Sequence, residues 1–156
     1  MMRILFLFTL IVFLVVGCRN SAETHDHDMA AMETDMEMSQ SDDLDTSTSK
    51  MSDAGAFHVT VVAEIDPVPI NELHTWTLTI MDAEMQPVND ATITFGGGMP
   101  EHNHGFPTEP QVRAGDGDGE YQIEGVKMQM AGWWEMILEI ESAETTDTIT
   151  FNIVLP

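Results

Sequence analysis

The sequence predicts an all-β fold: an immunoglobulin-like β-sandwich of six to seven antiparallel strands, formed by residues 57–156. Three observations predict it. From Phe57 onward, short runs alternate apolar and polar residues, the period of a half-buried strand. Clusters of Pro, Gly, Asn and Asp separate these runs, and no long stretch carries the 3.6-residue period of an amphipathic helix. A segment of about 100 residues with this many short strands fits a sandwich, with a small open barrel as the alternative.

The expected strands are, in order, "FHVTVVAEI", "LHTWTLTIM", "DATITF", "EYQIEGV", "WWEMILEI" and "DTITFNIVL". Alternation places Phe57, Val59, Val61, Ala63 and Ile65 on one face, and likewise Trp76, Leu78 and Ile80. Ile93 and Phe95 follow, then Trp134, Met136, Leu138 and Ile140, and finally Ile149, Phe151, Ile153 and Leu155. These faces build one core. Trp133 and Trp134 must point opposite ways, Trp134 inward. His58 and His74 are expected on outward, threonine-bearing faces, as exposed histidines without a role. "GDGDGE", Gly115–Glu120, alternates Asp116 and Asp118 but lacks the oxygen ligands and closing bidentate carboxylate of a calcium loop, so it is expected as a hairpin turn.

Ahead of the domain, "MMRILFLFTLIVFLVVG" has the arginine and apolar run of a secretory signal, residues 1–17. It is shorter than the ~20 apolar residues of a membrane span, and it ends in "VVGC". That ending resembles the lipobox of bacterial lipoproteins, which makes Cys18 the lipidated N-terminus of a mature envelope lipoprotein; Arg19 gives no aspartate-type retention signal. Residues 18–56 are Asp/Glu/Ser/Thr/Met-rich without aromatic side chains before Phe57, and are expected as a disordered tether. The formal net charge is −22. Such an excess excludes nucleic acid and other polyanions as partners and favours cations or basic protein patches.

Cys18 is the only cysteine, so the folded part has no disulfide and no thiolate, and a soft metal site must use methionine and histidine. The segment "GGGMPEHNHGFPTEP", Gly96–Pro110, offers both. It lies in a connection of some two dozen residues between "DATITF" and "EYQIEGV", stiffened by Pro100, Pro107 and Pro110; connections this long are usually functional or disordered. If "EHNHG" is extended, His102 and His104 share a side, Met99 precedes them, and the glycines let the thioether reach the same point. Met128 and Met130 in "VKMQMAGWWEM" alternate and so share a face, and one of them could approach the histidines. This donor set favours copper over magnesium or calcium. The plain alternative is that the methionines fill core gaps and the histidines hydrogen-bond a turn. In the tether, "THDHDMAAMETDMEM" supplies His25, His27, Met29, Met32, Met36 and Met38 as secondary ligands that could collect copper.

The run "GGGMPEHNHGFPTEPQV…GDGEYQIEGVKMQMAGWWEMILEI" resembles the YtkA-like domain, related to the soluble part of FixH-type proteins. The shared pattern is Met-Pro-x-His-x-His-Gly, then Gly-x-Tyr-x-(Val/Ile)-Glu-Gly, then Met-(Pro/Ala)-Gly-x-Trp-Glu, with Ala131 where the family usually has proline. The resemblance implies a β-sandwich of the bacterial envelope associated with copper handling or haem–copper oxidase assembly. Carried over residue by residue, it implies Met99, His102, His104 and Met130 as metal ligands.

The resulting expectation is a copper-binding lipoprotein that exchanges its metal with a membrane or envelope acceptor protein. The competing expectation is an immunoglobulin-like module that docks on an envelope complex without metal. An enzyme is disfavoured: Glu101 beside the two histidines is the sole hint of a catalytic metal, and no base, oxyanion site or substrate pocket accompanies it.

Overall fold

The computed structural model describes residues 44–143 and 145–156. Its strands are β1 (Ser49–Met51), β2 (Phe57–Ala63), β3 (His74–Asp82), β4 (Thr92–Met99), β5 (His104–Gly105), β6 (Gln111–Ala114), β7 (Glu120–Val126), β8 (Gly132–Glu141) and β9 (Thr146–Leu155). Two antiparallel sheets result, ordered β1-β2-β3-β7-β6 and β5-β4-β8-β9, and they pack as a β-sandwich. Inward residues interdigitate between them: Val59, Leu78, Ile80 and Ile123 from one sheet, Trp134, Met136, Leu138 and Phe151 from the other, all essentially without exposed surface. Each such side chain stabilises the fold by about 1.5–3 kcal/mol relative to exposure.

The six expected strands are present, with Trp134 inward and Gly115–Gly119 as the β6–β7 turn. Three short strands are additional: β1, β5 and β6, of three, two and four residues. Two expected positions differ. Ile65 is exposed, because β2 ends at Ala63 and the chain turns away. His74 is buried, because it has the parity of Trp76 and Leu78 and so faces the core rather than solvent.

The domain also begins earlier than composition indicates. Residues 44–56, read as the end of the tether, are part of the sandwich: β1 pairs with β2, with Lys50 opposite Val59. Hydrogen bonds rather than apolar burial hold this segment, which is why its hydropathy does not reveal it. Asp53 N–H donates to Thr148 O at 2.8 Å. The buried Asp147 carboxylate accepts from Ser52 Oγ at 2.6 Å and from the amides of Ala54 and Ala56 at 3.0 and 3.2 Å. Ser52 Oγ in turn accepts from Phe57 N–H at 2.9 Å. One carboxylate thus ties the β1–β2 connection to the start of β9.

A candidate metal-binding site

Chain direction sets the location. β4 does not stop at Phe95 but runs on through Gly96, Gly97 and Gly98 to Met99, so the long connection expected from the sequence opens as strand and is broken further by β5 and β6. Glycine is required there. Gly97 has φ +111°, and a Cβ on it would lie 2.0 Å from Glu135 O; a Cβ on Gly98 would lie 2.2 Å from His104 O. The bare backbone lets β4 fit closely between β8 and β5.

Past Met99 the chain makes a 3₁₀ turn over Pro100–His102, and Asn103 adopts the left-handed conformation, φ 52°. β5 then returns along β4, setting Gly98 opposite Gly105 and Met99 opposite His104. The segment "EHNHG" is therefore a tight turn and not an extended run. The turn still brings the two imidazoles together, with ring centroids 6.0 Å apart.

The His104 ring meets the edge of Trp134 at 5.7 Å, and Phe106 packs on the same indole at 5.1 Å. Trp134 Nε1–H donates to Met130 O at 3.1 Å. His104 Nδ1–H donates to Gly105 O at 2.9 Å. Because a carbonyl can only accept, that bond fixes the tautomer of the neutral ring and leaves the lone pair on Nε2. Met99 is 1 % exposed, and its Cε lies 2.9 Å from where a Cβ on Gly132 would be. Met99 and His104 both line a shallow concavity of about 260 Å³ at the hairpin, together with Gly97, Gly98 and Asn103.

The structure thus assembles three of the four expected ligand residues, Met99, His102 and His104, around one hairpin. Met130 joins through its main-chain carbonyl, while its side chain is 37 % exposed. Met128 does not share its surroundings: β7 ends at Val126, and Met128 is wholly buried, bridged to Ile70. Among the described residues, no three His, Cys, Asp or Glu side chains cluster as a metal-binding group, so a site here rests on two imidazoles and thioether sulfur. Cys18, His25, His27, Met29, Met32, Met36 and Met38 lie outside the described residues.

A family profile described as YtkA-like matches residues 54–139, more than half of the chain and the whole of this hairpin. The chain belongs to the YtkA-like family. Within this YtkA-like domain, Met99, His102, His104 and Met130 all fall inside the matched residues, as does His74, which parity along β3 could have revealed as inward-facing. Among solved structures the chain is similar to one titled ZirS C-terminal Domain, at 13 % identity, covering 93 % of this chain and 92 % of that one, with a TM-score of 0.36. A likeness that loose carries no argument. No curated protein matches the sequence.

Proposed function

We propose that this YtkA-like domain is a copper-binding module of an envelope lipoprotein, taking up the metal at the β4–β5 hairpin and passing it to a membrane or envelope acceptor protein. The observation that carries the reading is the direct cross-strand pairing of Met99 with His104, with His102 brought alongside by the intervening turn. Thioether and neutral imidazole are donors suited to copper in a compartment where thiols oxidise. The residues do ligand exchange rather than catalysis. His104 presents Nε2 from a ring fixed by Gly105 O and Trp134, Met99 supplies sulfur from the core side, and exposed His102 offers a second nitrogen that an acceptor can displace. A tail carrying His25, His27, Met29, Met32, Met36 and Met38, anchored through Cys18, would collect copper near the membrane and raise its local concentration at the domain.

A competition titration of Cu(I) against a chromophoric chelator tests this, on the full chain and its His102→Ala/His104→Ala variant. The tail contributes equally to both, so their difference isolates the hairpin. Loss of one tight equivalent in the variant supports the reading, and identical curves refute it.

A second reading, docking without metal, is favoured by one observation: Trp133 pairs with Val154 on the outward face of the β5-β4-β8-β9 sheet, where Val154 is 44 % exposed. Under it, Val154→Glu abolishes association with an envelope complex while the double histidine variant still associates.

A further inference from the structure

The sandwich holds a second histidine environment that the hairpin does not use. His74 opens β3, faces inward and is 4 % exposed. Its Nδ1–H donates to Glu72 O at 3.2 Å, which fixes the proton on that nitrogen for the same reason as in His104. Nε2 is then a buried lone pair, and no donor among the described residues reaches it.

What surrounds this lone pair follows from topology. His74 is opposite Val126 in the β3–β7 ladder. Two residues on, Met128 is again buried, and its carbonyl accepts from Asn71 N–H at 2.6 Å, which holds the segment beside the start of β3. Met128 is thus held, just past the end of β7, beside the residues that lead into His74, and both side chains are buried. Trp76, next along the same inward face, has its ring centroid 6.2 Å from the imidazole at 49°. The five residues between Val126 and Gly132 also put this end of β7 at the end of the sandwich where β8 begins and Met99 packs.

We propose that His74 Nε2 and Met128 Sδ form an internal site for a soft monovalent cation of the Cu(I) class, with the indole of Trp76 beside it. The chemistry is selective. A thioether and one neutral imidazole offer nothing to a hard divalent ion, whereas both suit a soft one. Burial already holds Nε2 away from bulk solvent in the fold, so a ligated ion meets a lone pair whose desolvation is incurred beforehand. The site is distinct in residues from the hairpin and stands or falls separately from it.

The test uses Ag(I), a redox-inert soft cation, added to the full chain with ¹⁵N-imidazole and ¹³C-methyl-methionine labels, followed by NMR. The His74 ring and Met128 methyl signals are expected to shift together at one added equivalent or soon after. They should do so equally in the His102→Ala/His104→Ala variant, whereas Met128→Leu, which preserves volume, removes the His74 response. The proposal is overturned if His74 and Met128 stay unmoved while the chain is saturated with Ag(I), or if His74 alone shows exchange with a single buried water and no response to metal. A response of His102 and His104 without His74 overturns this inference and leaves the hairpin reading standing; the reverse refutes the hairpin and retains the inner site.

Discussion

Met99 and His104 are direct cross-strand partners, the last residue of β4 facing the first of β5, across a turn that contains His102. Pairing in an antiparallel ladder puts both side chains on one face, within about 5.5 Å at Cβ. The hairpin is built for that closeness: Gly97 and Gly98 admit the neighbouring backbones, and Gly132 leaves room for the Met99 methyl.

Gly97→Ala places a methyl group 2.0 Å from Glu135 O at a φ of +111°, with backbone rather than a flexible side chain as the obstacle. Destabilisation of about 3 kcal/mol or more is expected, read as a lowered urea midpoint at unchanged slope. The same substitution at Gly55, which has nothing within 4 Å of its would-be Cβ, should cost less, because only its positive φ is strained.

Asp147 predicts an acid limb. Burial works to raise its pKa, but the hydrogen bonds from Ser52 Oγ and from the amides of Ala54, Ala56 and Thr148 outweigh it, and the carboxyl is held below its ordinary value of 3.8. Since the folded pKa is depressed, the stabilisation is present above 3.8 and is lost as pH falls below it. Asp147→Ala leaves four donors unserved and should cost about 2–3 kcal/mol at neutral pH, and urea melts of the variant should show a flatter decline below pH 4.

Segment 44–56 predicts where the fold can be cut. A chain starting at Leu44 keeps β1 and Ser52, whereas one starting at Phe57 leaves Asp147 buried without Ser52, Ala54 and Ala56. The shorter chain should melt about 10 °C lower or more by circular dichroism, on the order of 2 kcal/mol for a domain of this size.

Trp134 reports on the hairpin because its indole touches the His104 ring at 5.7 Å. Copper bound at His104 should quench its fluorescence. Trp133, which points the other way and bonds Asn152, should not respond, so Trp134→Phe removes the part of the quenching that His104→Ala also abolishes, and Trp133→Phe retains it.

The long strands and their inward faces were legible in the sequence because period-2 alternation of Val, Ile, Leu and Trp fixes both element and face. β1 and β5 were not, since "SKM" and "HG" have no apolar period and are strands only through their partners. The glycine run read as loop for a related reason: without side chains it shows no alternation, and its strand geometry comes from β8 on one side and β5 on the other. Residue chemistry singles out Met99, His102 and His104, and the extended geometry expected for them is replaced by a turn that still sets the two rings 6.0 Å apart. His74 shares the inward parity of Trp76 and Leu78, and Met128 parts from Met130 because β7 ends at Val126 and Met128 bridges to Ile70.

The most direct test of the central claim is a double-mutant cycle in Cu(I) affinity across the β4–β5 pair. Met99→Leu preserves core volume at a cost below about 1.5 kcal/mol, so it removes the sulfur without unfolding the hairpin. With a shared ion, Met99→Leu and His104→Ala should each weaken binding by at least an order of magnitude, about 1.4 kcal/mol, and their combination should lose less than the product of the two. Unchanged affinity in Met99→Leu and His104→Ala alike would contradict the account and leave the hairpin a structural turn.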